Sequence, residues 1–274
     1  MDKTEWIFPL KNNRLDLRMA TAVSNCLLEA GIPCVLWGNW LMSIHGVNGG
    51  SNCVEFVVPD ESIEAAAGKI STSSGLPRCS DPNCDMLPED RGSRPPAAHF
   101  HLDEDRGTGL TLDLHLKSTT LGFIPSLVFQ PQSEKEVPDI IEASDPSIPL
   151  FTSEGGPTGR LQGIPISIYI PSLHILTEAW IRDSVTAKNE SHGDFADIMV
   201  AEILMYADKY EPVNTSLMEP RIATYFLGLR NRGKHLKSHR KMYSDLKSAF
   251  SADGEMIPEV PLPPRKDDSG NDAL

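Results

Sequence analysis

The sequence predicts an α/β fold of the α+β kind, a mixed sheet followed by a C-terminal helical region. Three observations predict it. Between Leu15 and Ser71, segments with helical spacing alternate with short apolar or β-branched runs. Between His99 and Leu116, two alternating runs flank a turn-rich stretch, the pattern of a β-hairpin. From Pro171 to Phe250, four helix-period segments follow one another with no strand signal between them.

Leu15 to Ala30 reads as an amphipathic helix, with Val23, Cys26, Leu27 and Ala30 at helical spacing. Gly31, Ile32 and Pro33 end it, and Cys34 to Trp37 is a short apolar run suited to a buried strand. A short helix from Trp40 to His45 stops at Gly46. Val54 to Val58, rich in β-branched residues, is the next strand, and Glu61 to Ser71, rich in alanine, the next helix. Thr72 to Ala97 lacks periodicity and is expected to be a long loop, functional or clamped, because unstructured loops of that length are uncommon inside domains. His99 to Leu102 and Leu110 to Leu116 form the expected hairpin around Asp105, Arg106 and Gly107. Gln130 to Gln162 reads as loop, and Ile164 to Ile170 as the last strand. Pro171 to Ala187, Asp194 to Ala207, Leu217 to Arg232 and His235 to Phe250 are the C-terminal helices. The expected organisation is an α/β domain over residues 1–170, a helical region over 171–253 and a disordered, Pro-rich tail over 254–274.

A formal net charge of −13 argues against a general nucleic-acid binder, which needs clustered Lys and Arg to neutralise phosphates. No apolar run reaches membrane-spanning length, so no membrane partner is expected. Met1 to Arg14 lacks the charged-then-apolar order of a secretory signal. The five cysteines (Cys26, Cys34, Cys53, Cys79 and Cys84) are odd in number and do not read as a disulfide framework. A reducing, cytoplasmic setting is expected.

The order of helix, strand, glycine turn, short helix, strand, helix and hairpin carries a resemblance from Leu15 to Ala207. It resembles the minimal nucleotidyltransferase fold, shared by aminoglycoside- and lincosamide-modifying nucleotidyltransferases. In that family an apolar strand runs into a Gly-Gly or Gly-Ser turn that cradles a triphosphate. An Asp-x-Asp on the next strand then holds magnesium, and a third Asp from a later strand completes the site. The matching turn here is Gly38-Asn39, which the resemblance assigns to nucleotide binding. The strand that should carry Asp-x-Asp reads Cys53-Val54-Glu55, so one carboxylate is replaced by a thiol, and Asp113, with His115 on its face, matches the third. The resemblance implies catalytic roles for Glu55 and Asp113; the alternative is that both are solvated strand residues. Because hard cations take oxygen ligands, a magnesium site here is expected to be degenerate, and transfer weak, altered or lost. A nucleotide or small phosphorylated ligand is the implied partner. A non-catalytic binding module, or a biosynthetic enzyme with other chemistry in the same cleft, are the alternative outcomes. The family's Lys on the following helix is absent, with Trp180, Ile181 and Arg182 in its place, and Asp194 and Asp197 read as a helix N-cap and a first-turn charge. Within the fold the chain most resembles a group of uncharacterised fungal proteins. These pair a Trp-Gly turn with a Cys-x-Asp-Pro-Asn-Cys segment and a His-x-His strand, here Trp37-Gly38, Cys79 to Cys84 and His99-Phe100-His101.

Those last two segments also carry chemistry of their own. Cys79 and Cys84 flank a Pro-Asn turn, while His99 and His101 share one face of a strand. Two Cys and two His form a zinc ligand set, and a structural zinc would order the long loop. The spacing is not that of a standard zinc finger, so thiols without a metal, or a disulfide, are the competing readings. Gly155 to Arg160 lacks the Lys-Ser/Thr end of a phosphate loop, and the basic run from Arg230 to Lys241 reads as a solvated helix face.

Overall fold

The structure, a computed structural model, describes residues 6–10, 15–47, 50–81, 84, 93–102, 109–128, 138–150, 159–231, 236–255 and 257. Asp16 opens α1 (Leu17–Glu29): its carboxylate accepts from the Arg18 and Met19 amides at 2.9 and 3.2 Å, satisfying amides that the first turn leaves without partners. β1 (Val35–Trp37) runs directly into α2 (Gly38–Ile44). The sequence places this helix two residues later; Gly38, at φ +67°, joins strand and helix at a single residue. β2 (Cys53–Val58) leads through a short 3₁₀ turn to α3 (Ile63–Ser74). That helix continues past Ser71 into the expected loop, with the Thr72 and Ser74 hydroxyls bonded back to the Gly68 and Ile70 carbonyls at 2.8 and 2.7 Å rather than competing for backbone amides.

β3 (Ala98–His101) and β4 (Thr111–Leu116) pair antiparallel, as expected, while Asp105, Arg106 and Gly107 lie outside the described residues. After α4 (Lys117–Thr120), β5 (Ile140–Glu142) falls in the stretch read as loop and pairs with β6 (Tyr169–Pro171) in a separate two-stranded sheet. The expected strand from Ile164 to Ile170 is thus shorter, shifted, and not part of the main sheet. Strands of three residues are too short to show a period.

The main sheet has the order β1-β2-β4-β3, with β2 and β4 parallel and the outer pairs antiparallel. This is the predicted mixed sheet. Its one face is apolar: Leu36, Val54, Phe56, Phe100, Leu112 and Leu114 are fully buried, beneath α1 and α3. The other face carries the polar side chains described below.

The C-terminal helices are α5 (Leu173–Thr186), α6 (Glu190–Glu202), α7 (Asp208–Tyr210), α8 (Pro220–Arg230) and α9 (Leu236–Ala252), with a π turn at Ile203–Ala207 between α6 and α7. Asn189, not Asp194, caps α6, accepting from the Ser191 amide at 2.9 Å. Asp197 then lies beyond the first turn and accepts from the Ser184 hydroxyl at 2.6 Å, which corrects both assignments made from the sequence. Buried apolar residues from Met19 to Phe250 form one cluster that includes these helices. Among the described residues, no helix is long and apolar enough to cross a membrane.

At the start of the expected tail, Glu255 is held by two arginines. Glu255 accepts from Arg182 Nη1 at 3.0 Å and from Arg221 Nη2 at 2.8 Å. The rest of the expected tail, 258–274, lies outside the described residues. Hydrogen bonding from Arg221 holds the Glu255 carboxyl below its ordinary range, with Arg182 adding to the effect. A depressed carboxyl stabilises the fold above its unfolded pKa and loses that contribution as pH falls through the folded value. Because Glu255 and Arg221 are about one-third exposed, Glu255→Gln is expected to cost less than about 1 kcal/mol at neutral pH, with the difference vanishing in acid. Urea unfolding at the two pH values checks this, and a loss that persists in acid contradicts it.

Candidate functional site

Strand register assembles the site. Trp37, Glu55, Asp113 and His99 stand opposite one another in a single row across β1, β2, β4 and β3. Cys53, Thr111 and His101 form the next row. Residues directly opposite in a sheet share a face, so all these side chains project to the same side, with His115 two residues beyond Asp113.

Above this face lies a cleft of 280 Å³, lined by Gly38, Asn39, Cys53, Glu55, Arg94, His115, Trp180, Asp183 and neighbours. The Trp37 and Trp180 rings, 5.2 Å apart, join the sheet to α5 at its wall. Asp113, 3% exposed, is not a lining residue; it sits one strand over from Glu55. Asn39 donates through Nδ2 to the Gly50 carbonyl at 3.3 Å, closing the loop beside the cleft.

Glu55 is held on three sides. The Cys53 thiol donates to its Oε1 at 2.8 Å, and His115 Nε2 lies 3.3 Å from Oε2. The carboxylate also rests against Gly38, where an added Cβ would fall 2.3 Å from Oε1. Burial, followed by the Glu55 and Asp113 charges, pushes the Cys53 thiol well above its ordinary range. It is therefore a protonated donor to Glu55.

Two cleft residues escaped the reading of the sequence. Arg94 donates through Nε to Asp183 Oδ1 in a close ion pair. Burial pushes the Asp183 carboxyl up, opposed by Arg94. The Arg94 side chain is only 10% exposed, and its Nη2 has no acceptor among the described residues. Trp180 Nε1 is likewise buried without one. A buried donor without a partner costs about 1–3 kcal/mol, so an acceptor-rich ligand in the cleft would relieve both.

A magnesium centre fits these residues poorly. Magnesium asks for near-octahedral oxygen coordination; among the described residues the sheet face offers Glu55 and Asp113, with Glu55 engaged by a thiol and close to an imidazole, and the carboxylate across the cleft, Asp183, is taken up by Arg94. Beside the carboxylates, the Cys79 and Cys84 sulfurs and one ring nitrogen each of His99 and His101 all lie within 4.8 Å of one another. None of the five cysteines is in a disulfide. Pro82 and Asn83, between the two thiols, lie outside the described residues, as do Gly155 to Thr158 and residues 232–235 of the basic run.

No family model matches the chain, and no curated protein matches it. Two solved structures resemble it. The solution structure of the antibiotic-resistance factor ANT(2″)-Ia superimposes with a TM-score of 0.34 at 11% identity, covering 85% of this chain and 89% of that one. The crystal structure of ANT(2″)-Ia in complex with adenylyl-2″-tobramycin gives 0.32 at 14% identity, covering 83% and 94%. What the fold and site define is a mixed α/β protein with a cleft over the polar face of its sheet.

Proposed function

We propose that the chain is a nucleotidyltransferase-like protein whose cleft binds a nucleotide or small phosphorylated ligand, with transfer activity weak, altered or lost. One observation carries the reading: Gly38, Asn39, Glu55 and a buried Arg94 line a single cleft, with Asp113 in register beside Glu55. The chemistry of the wall agrees. Arg94 Nη2 and Trp180 Nε1 are donors without acceptors among the described residues, and phosphate oxygens are strong acceptors for a guanidinium. The sequence resemblance matches Glu55 and Asp113 to the family's metal-binding carboxylates. Their thiol neighbour cannot complete a hard-cation site, so the reading gives this cleft binding without brisk magnesium chemistry. The likeness to the fungal group is part of the same reading and rests on the Trp37-Gly38, Cys79 to Cys84 and His99 to His101 segments.

Arg94 provides the test. Arg94→Lys keeps a charge for Asp183 but loses the planar fork. It is expected to weaken binding of a nucleoside triphosphate by about tenfold or more, since a hydrogen bond to a charged group contributes roughly 1.5–3 kcal/mol. Calorimetric titration of the full chain measures this. Unchanged affinity would place the phosphates elsewhere. Arg94→Ala is a poorer probe, because it strands the buried Asp183.

A further inference from the structure

We propose that Cys79, Cys84, His99 and His101 form a closed, structural zinc site that ties the edge of the main sheet to the connection between α3 and β3. It is independent of the nucleotide reading, since none of the four residues lines the cleft. The ligand atoms lie within 4.8 Å of one another. In a tetrahedral zinc site with ordinary bond lengths, sulfur and nitrogen ligands stand about 3.6 Å apart. Here Cys84 Sγ lies 3.3 Å from His99 Nε2 and 3.4 Å from His101 Nε2, so Cys84 already stands at nearly that spacing from both imidazoles.

The backbone explains how residues so far apart in sequence meet. His99 and His101, two apart on β3, project to one side of the sheet, their rings 5.2 Å apart in an edge-on arrangement. Arg78 bridges to Phe100, and the Cys79 amide donates to the His99 carbonyl at 2.9 Å, which lays Cys79 along the free edge of β3. The Cys84 amide donates to the Asp81 carbonyl at 3.2 Å, and the second thiol lies against both rings.

Charge and donor type select the ion. Two thiolates offset the two positive charges of zinc, so the filled site is neutral, as suits buried Cys84 and His99. A sulfur-and-imidazole set favours zinc over magnesium or calcium, and four protein ligands leave no open position for catalysis. Binding releases the two thiol protons to solvent, so retention weakens in acid. β3 is a four-residue edge strand whose outer side meets the single Arg78–Phe100 bridge and no further named strand among the described residues, and a metal joining it to Cys79 and Cys84 braces it there.

The full-length chain, produced with zinc present and dialysed, is expected to retain about one zinc per molecule by elemental analysis. Replacing the zinc with cobalt(II) should give intense tetrahedral d–d bands with thiolate-to-cobalt charge transfer. Cys84→Ser should lower retained zinc roughly tenfold or more. Should that variant fail to fold, alkylation of the unmodified chain decides: Cys79 should react about tenfold faster after chelation than before it. A chain that retains no zinc overturns the proposal. So does a six-coordinate cobalt spectrum, a Cys79–Cys84 disulfide in freshly purified protein, or a Cys79 alkylation rate that chelation leaves unchanged.

Discussion

Cys53→Asp is expected to raise the affinity of the cleft for magnesium by about tenfold or more, equivalent to roughly 1.4 kcal/mol. The natural side chain is a buried, protonated thiol that spends its hydrogen on Glu55 at 2.8 Å. Aspartate at the same position removes that donor and supplies a third carboxylate in the row beside Glu55 and Asp113. Without metal the three charges repel, so the variant should melt below the natural protein in chelator. Magnesium should then restore much of the loss, because an ion that binds only the folded state stabilises it by mass action. The natural chain should show almost no such response. Melting curves with and without magnesium, with calorimetry for the affinity, check both halves. No gain in affinity would mean that Asp113 does not complete a ligand set with position 53.

Gly38→Ala is expected to be the most damaging single substitution at the cleft, costing about 2–4 kcal/mol. Two effects add. Gly38 has φ +67°, a conformation that costs an L-residue about 1–2 kcal/mol. The new methyl would also stand 2.3 Å from Glu55 Oε1, and that carboxylate has little room to yield, pinned as it is by Cys53 and His115. For a chain of this size the melting temperature should fall by roughly 5–15 °C. The two effects separate in a double-mutant cycle. In a Glu55→Ala background the clash is gone, and Gly38→Ala should cost only the backbone share, about 1–2 kcal/mol. Equal costs in both backgrounds would show that Glu55 does not press on Gly38.

The parts of the site that follow from local periodicity were legible. Spacing of two along a strand places Cys53 with Glu55, Asp113 with His115, and His99 with His101, and each pair does share a face. Helix α1 and strands β1 to β4 likewise announce themselves through apolar patterning. What no local pattern reveals is pairing at a distance. Arg94 sits in a stretch without periodicity and meets Asp183 across 89 positions, and nothing in either neighbourhood marks the other. The row from Trp37 through Glu55 and Asp113 to His99 depends on the parallel pairing of β2 with β4, which strand patterns alone do not specify. β5 escaped because three residues display no period, and Glu255 because a charged residue in a polar segment gives no sign of the two arginines that hold it. The start of α6 was misplaced for a different reason: Asn189 and Asp194 are both good caps by chemistry, and tertiary packing chose the earlier one.

If the proposed function holds, the cleft binds a phosphorylated nucleotide without needing magnesium. Trp37 and Trp180 stand at its wall, so tryptophan emission reports occupancy in the unmodified chain. Titrating nucleoside triphosphates in chelator, and again in magnesium, tests the claim most directly, with pyrophosphate release followed in the same samples. The expected result is a saturable emission change in chelator, little tightening by magnesium, and pyrophosphate release that is absent or very slow. Binding that appears only with magnesium, or brisk magnesium-dependent release of pyrophosphate, would contradict it.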